Sequence, residues 1–255
     1  MTRHADRALL LRRFPFGESS LVVHLLTGEG RRVHLVARGA HRPKSRYAGL
    51  LDLFDTLDLS WTLRPGGGLG ELRSGSLATR RRGLTCDLAR YCTALAVLEL
   101  AGRAAREEAA EPGLFQLVEA TLDQLALADR DPTVELIAFD LALLGLLGLA
   151  PAVTHCAACG GPAPEVAPGK AAFSAARGGR LCRNCGGDAR AEGARVGTLR
   201  ADVLAAAAVL AASDGARRAA LPPPPAGLLA ALVSFVDRFL EFHLETRLRS
   251  RPVRP

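Results

Sequence analysis

Two hydrophobic periods divide this chain. Up to about residue 77 apolar side chains alternate with polar ones, and from Thr85 onward they recur every third or fourth position. Alternation marks half-buried strands, and the longer spacing marks amphipathic helices. Arg7–Arg13 is a first apolar run and Ser20–Leu26 a second, with Thr27-Gly28-Glu29-Gly30 reading as a hairpin turn after it. In Arg31–Arg38, Val33, Leu35 and Ala37 fall on one face and Arg32, His34 and Arg38 on the other. A fourth strand alternates from Leu51 to Leu63, with Asp55 interrupting its apolar face as a bulge would. Arg64–Gly68 turns the chain into a weaker fifth strand, Leu69–Leu77. Five short antiparallel strands suit a small closed barrel of the oligonucleotide-binding (OB) type.

The helical half begins with Leu88, Tyr91, Cys92, Leu95 and Leu98 at helical spacing, and Thr85 is the expected N-cap. A second helix carries Leu114, Leu117, Val118, Leu122 and Leu125. A third follows Asp131-Pro132-Thr133 and is apolar on every side, which places it at the centre of a bundle. Glu135 and Asp140 interrupt that run, so it reads as a core helix and not a membrane span, and Asp140 needs a buried partner. An alanine-rich helix lies near Arg200–Ala212, and a last helix after Pro222–Pro225 carries Leu228, Leu232, Phe235, Phe239 and Phe242. Arg247, Arg249, Arg251 and Arg254 form a basic tail.

Between the third helix and the alanine-rich one stands a cysteine module. Cys156-Ala-Ala-Cys159 and Cys182-Arg-Asn-Cys185 are two C-x-x-C pairs separated by residues 160–181. Four thiolates in tetrahedral array form a closed structural Zn²⁺ site, with no open position for a substrate. The expectation is one structural Zn²⁺ per chain on Cys156, Cys159, Cys182 and Cys185; the alternatives are two disulfides or four unrelated buried thiols. His155 is a neighbour of the first knuckle, and Cys86 and Cys92 read as ordinary helix residues. The polar start Met1–Asp6 and the short apolar stretch Ala8–Leu11 do not read as a signal peptide, so a reducing cytoplasm is expected, where paired C-x-x-C means metal more often than disulfide.

Charge changes the picture more than overall composition does. The chain is formally +7, yet residues 1–82 hold fourteen Arg and one Lys against seven Asp or Glu, leaving the remainder at −1. Such asymmetry points the barrel, and not the helices, at a polyanion. The candidate phosphate contacts are Arg31, Arg32, Arg38, Arg42, Lys44 and Arg46, on the third strand and the loop after it. Rings for base stacking are few in this region: Phe14, Phe16, Tyr47, Phe54 and Trp61, the last reading as core. Backbone-dominated binding with little sequence preference is therefore expected. Arg80-Arg81-Arg82 either extends the basic surface or begins the next helix. No phosphate-binding loop, dinucleotide fingerprint or paired-carboxylate motif stands out, so no catalytic residues are assigned and a non-enzymatic protein is expected.

The order of motifs resembles one family. Arg7-Ala-Leu-Leu-Leu, Phe16-Gly-Glu-Ser-Ser20, Leu25-Leu-Thr27, Ala37-Arg-Gly-Ala40 and Arg42 are similar to the N-terminal part of the bacterial recombination mediator family RecO. Leu146–Pro151 leading into Cys156–Gly160, then Phe173-Ser174, Gly178-Gly179 and Leu181-Cys182, resemble its zinc-bearing branch, and Leu248-Arg-Ser-Arg251 its C-terminal end. The resemblance implies an α+β protein with an OB barrel (residues 1–80), a helical domain (81–150 and 198–250) and an inserted zinc ribbon (151–197). It also implies a cytoplasmic, nucleoid-associated role in RecF-pathway repair, with no membrane partner and no small-molecule substrate. The protein would bind single- and double-stranded DNA, anneal complementary strands and contact the C-terminal tail of single-strand-binding protein. With RecR it would load the RecA recombinase. The readings outside this family are a zinc-ribbon RNA-binding or ribosome-associated protein, and a metal-dependent nuclease with a structural zinc.

Overall fold

The structure is a computed structural model that describes residues 2–63 and 68–244. The expected turn at Arg64–Gly67 and the basic tail from Arg247 lie outside the described residues. Contacts divide the described chain into two compact units, residues 2–132 and 133–244. Among the described residues no helix is long and apolar enough to cross a membrane.

The first unit opens with strands β1 (Thr2–Phe16), β2 (Ser20–Thr27), β3 (Arg32–Ala37), β4 (Thr56–Leu63) and β5 (Gly70–Thr79). They close into a barrel in the order β1-β2-β3-β5-β4, the OB topology. The long first strand serves two partners, pairing with β4 through its first half and with β2 through its second, and a bulge between Leu10 and Arg12 changes its direction. One expectation needs correction, because the barrel is not wholly antiparallel: β3 and β5 run parallel, with Leu35 opposite Gly70 and Val36 opposite Glu71. Parity requires this, since a ring with an odd number of strands cannot alternate direction at every step.

Alternation along the strands sends Leu10, Val23, Leu25, Leu35, Leu57, Leu59, Trp61 and Leu72 into the barrel interior. The loop between β3 and β4 closes the core from outside, contributing Tyr47, Leu50 and Leu51, and the Tyr47 hydroxyl donates to the Leu72 carbonyl at 2.8 Å. Gly30 sits after the β2 turn at φ 84°, and a Cβ there would lie 2.1 Å from the Glu111 carbonyl oxygen, so only glycine fits.

Asp55 is not a bulge within a strand. It precedes β4, is buried, and accepts hydrogen bonds from the Arg80 side chain and the Arg81 amide, each at 3.1 Å. Nor is Arg81 on a basic surface. Its side chain is 2% exposed, and its guanidinium donates to Asp123 (2.6 Å), the Phe54 carbonyl (2.7 Å) and the Thr56 hydroxyl (3.0 Å). Phe54 has φ 74°, a backbone state that a bulky residue holds only where its surroundings impose it.

A short 3₁₀ turn, Arg82–Thr85, leads from the barrel to helix α1 (Leu88–Ala104), followed by α2 (Leu114–Ala126). Asp87, not Thr85, caps α1 by accepting from the Arg90 amide, while the Thr85 hydroxyl is spent on the Arg82 carbonyl. Arg90 donates to the carbonyls of Leu125, Leu127, Ala128 and Arg130, satisfying the open C-terminal end of α2.

The second unit holds α3 (Pro132–Leu146), a sheet of β6 (Lys170–Ser174), β7 (Gly179–Leu181) and β8 (Gly197–Arg200) in the order β7-β6-β8, and helices α4 (Arg183–Ala191), α5 (Ala201–Ala211), α6 (Gly215–Ala220) and α7 (Ala226–Leu244). Ile137, Leu141 and Leu144 of α3 meet Leu204 of α5 and Leu232, Phe235 and Phe239 of α7 in one core. Phe173 of β6 packs edge-on against Phe235 and Phe239, at 5.4 and 6.0 Å, so the sheet is joined to the helices through an aromatic cluster. Asp140 is fully buried, as its place in an all-round apolar helix demands, and Glu135 of the same helix forms a buried ion pair with Arg218 at 2.8 Å.

Replacing Arg81 by Ala removes one buried cation and strands its acceptors, which should destabilise the first unit by roughly 3 kcal/mol. Arg80→Ala, at a more exposed pair, should cost about 1 kcal/mol or less. Urea unfolding followed by the fluorescence of Trp61, the chain's single tryptophan, reads both.

Candidate metal centre and nucleic-acid interface

The cysteine module folds as two knuckles brought face to face. Cys156–Gly160 turns back so that the Cys156 amide bonds the Gly161 carbonyl, while Cys182 caps α4 with its sulfur accepting from the Cys185 amide. The Cys156 sulfur accepts from the Cys182 amide at 3.3 Å. All four are free thiols, and their Sγ atoms lie within 4.8 Å of one another. A tetrahedral site with metal–sulfur bonds of about 2.3 Å needs sulfurs about 3.8 Å apart. The set therefore fits a closed four-thiolate centre after small side-chain movements, and the disulfide alternative has no support in the geometry. His155 is outside the cluster, its Nδ1 3.2 Å from the Thr154 hydroxyl.

Electrostatics in the cluster point the same way. Burial pushes the Cys156 thiol up, but the amides of Cys182, Cys159 and Ala158 outweigh it and bring the value down to about 6. Cys185 is pushed up to about 12, chiefly because its thiol donates to the Cys182 and Cys159 sulfurs. One sulfur is ready to carry negative charge while its neighbour keeps a proton to hold the group together. A cation supplies the compensation that lets all four ionise.

The six basic residues singled out in the sequence differ in their partners. Arg31 is exposed and pairs with Glu29, whereas the half-buried Arg32 donates to the Gly102 carbonyl and pairs with Glu107. Arg38 pairs with Glu71 and Arg46 donates to the Arg73 carbonyl, each while remaining exposed. The side chains of Arg42 and Lys44 meet no acidic partner among the described residues and are exposed. The 38–46 loop is fastened to the β1–β2 turn, with the His41 amide on the Ser19 carbonyl and the Gly39 amide near the Ser20 hydroxyl. The loop thus carries four of the five exposed cations in this set, Arg38, Arg42, Lys44 and Arg46, and Arg31 is the fifth.

The outer face of β1, β2 and β3 gathers Phe14, Phe16 and His34 with Arg12 and His24, two residues that the sequence did not single out. Strand register places Arg12 opposite His24 and His24 opposite His34. The two imidazoles stack at 3.8 Å with 20° between planes, and Phe14 meets His24 edge-on at 5.2 Å. Tyr47 and Phe54 are buried with Trp61, whereas Phe14 and Phe16 are 42% and 52% exposed. The signal available in the sequence was the bulge: after the continuous run Ala8–Leu11 the alternation changes phase, turning Arg12, Phe14 and Phe16 outward.

Residues 1–81 match the family profile described as recombination protein O N terminal. Residues 86–252 match the profile described as recombination protein O C terminal.

The stacked histidines make stability pH-dependent. Burial, then the facing His34 and the Arg32 and Arg12 cations, lower the His24 pKa from 6.5, with Glu107 opposing. Burial also lowers His34, against the pull of Glu107 and with Arg32 adding to the lowering. The unfolded chain therefore takes up protons before the folded one as pH falls through 6.5, and stability falls in that window. The loss is complete below the lowered folded values. His24→Gln combined with His34→Gln should flatten the fall in melting temperature between pH 7 and 5.5, measured by thermal denaturation.

Proposed function

Because the chain belongs to the recombination protein O family, a DNA-binding family of recombination and repair, we propose that it is a non-enzymatic recombination mediator. It anneals complementary strands and, with RecR, helps RecA load onto single strands coated by single-strand-binding protein. The observation that carries this reading is the cation-bearing loop: Arg38, Arg42, Lys44 and Arg46 stand exposed on one loop fixed to an OB barrel. Such a loop grips phosphates with little regard to base sequence, as a protein acting on any broken chromosome must. Both single and double strands present that backbone.

For the acidic tail of single-strand-binding protein the second unit offers a cavity of about 360 Å³. Phe173, Leu199, Val203, Phe235 and Phe239 line it, and Arg200 and Arg238 stand at the same site. Arg200 is held by Asp202 and Arg238 by the Ser234 hydroxyl, so both cations are placed before a ligand arrives. An apolar side chain of the tail would fill the floor while its carboxylates meet the two guanidinium groups.

The four thiolates would hold one Zn²⁺, which supplies cross-linking and no chemistry of its own, because four sulfurs close its coordination. The clustering of Cys156, Cys159, Cys182 and Cys185 supports the reading of the chain as one of the zinc-bearing branch of the family.

Two measurements test these assignments. Replacing Arg38, Arg42, Lys44 and Arg46 together by Ala should weaken binding of a fluorescent oligonucleotide at least about tenfold and flatten its salt dependence by up to about 0.9 per lost phosphate contact; unchanged binding removes the loop from the interface. Elemental analysis of reduced, freshly purified protein should find one zinc per chain. Cys182→Ser with Cys185→Ser should lower the melting temperature more than DNA affinity, and protein without metal would remove the site.

A further inference from the structure

We infer that the outer face of β1, β2 and β3 is a base-stacking strip for single-stranded DNA, with Phe14 and Phe16 as its platforms and the His24–His34 stack as its foot. This rests on the reading of the chain as DNA-binding and adds how it tells one strand from two.

Three observations converge. The first is placement. Beyond the bulge, Arg12, Phe14 and Phe16 share a face with Ser20, Val22 and His24, because Arg12 pairs with His24, Phe14 with Val22 and Phe16 with Ser20. The barrel core lies on the opposite side, with Leu21, Val23 and Leu25. Phe16 is 52% exposed, and Phe14, at the rim of a hollow lined by Leu11, Leu53 and Leu95, still leaves 42% of its surface open. The second is ring chemistry. Burial and the neighbouring cations keep His24 and His34 neutral at neutral pH. The strip is therefore a run of uncharged flat rings, which stack on bases of any identity. The third is charge. The loop carrying Arg38, Arg42 and Lys44 is hydrogen-bonded to Ser19 and Ser20, in the turn that follows Phe16. Arg12 stands on the face itself. Aromatic platforms beside phosphate-binding cations are complementary to a strand whose bases are unstacked.

A duplex keeps its base faces covered, so the strip engages only single strands, while the loop engages either. Stacking also leaves the hydrogen-bonding edges of the bases untouched and open to a complementary strand.

The test compares binding of the full-length protein, by fluorescence anisotropy, to a labelled oligothymidylate and to an abasic oligonucleotide of equal length and charge. The wild type should prefer thymidylate by roughly tenfold or more, the size of a stacked base. Phe14→Ala with Phe16→Ala should lose that preference and leave abasic affinity unchanged. Phe14→Leu with Phe16→Leu, which keeps apolar area and removes the rings, should lose it too. Equal wild-type affinity for the two probes, or a preference that both variants retain, overturns the strip while leaving DNA binding intact. A preference kept by the leucine pair and lost by the alanine pair also overturns it, since apolar area alone would then suffice. Failure of the wild type to bind either probe overturns the DNA-binding reading itself.

Discussion

A guanidinium is buried where the barrel hands the chain to its helices. Arg81 reaches Asp123 on α2, the carbonyl of Phe54 and the hydroxyl of Thr56 at the start of β4, and its own amide is taken by Asp55. The neighbouring Arg80 extends the fastening to the Gly49 carbonyl. A charge this enclosed is costly unless it is paired; Nε and Nη1 are hydrogen-bonded and Nη2 lies 3.8 Å from the Glu119 carboxylate, so the segments supplying these groups are fixed relative to one another. One of those segments is the end of the β3–β4 loop. The exposed cations Arg42 and Lys44 therefore project from a loop whose far end is bolted down and whose middle is plugged into the barrel by Tyr47. A ligand held by such a loop would cost little ordering, because the backbone is fastened already.

The second unit uses a different device. Its sheet is too small to bury a core alone, and two connections make up the deficit. Phe173 joins the sheet to α7 through a ring cluster, and the four thiols gather the knuckles at the other side. The four-thiol cluster and the aromatic cluster thus lie on opposite faces of the β6 strand, where Ala172 packs on the cysteine side and Phe173 on the helices.

What was legible in the sequence followed from patterns that local physics imposes. Alternation located the strands, and the cysteine spacing foretold the sulfur cluster because a C-x-x-C turn can aim both sulfurs the same way. What stayed hidden depended on partners far along the chain. Arg80-Arg81-Arg82 looks uniform as text, yet its central member is buried by Asp123 and Phe54, which lie in other elements. Tyr47 could not be distinguished from a surface ring without the Leu72 carbonyl that receives its hydroxyl. Phe14 and Phe16 were visible as rings, but the face that carries them depends on the bulge between Leu10 and Arg12. Of the predicted basic residues, Arg32 and Arg38 stand beside Glu107 and Glu71, acids that the fold brings alongside and that charge along a strand does not show.

The odd strand count leaves a mark beyond topology. β1 and β4 are joined along Thr2–Leu9, whereas β3 and β5 meet only at Leu35–Gly70 and Val36–Glu71. That short parallel seam, like the longer one between β1 and β4, joins strands far apart in the chain, so both wait during folding while the hairpins zip locally. The ring is thus thinnest in strand pairing where β3 leads into the 38–46 loop. Under mechanical or thermal stress the barrel would unzip first along that seam, letting go of the loop's root before the rest of the sheet gives way.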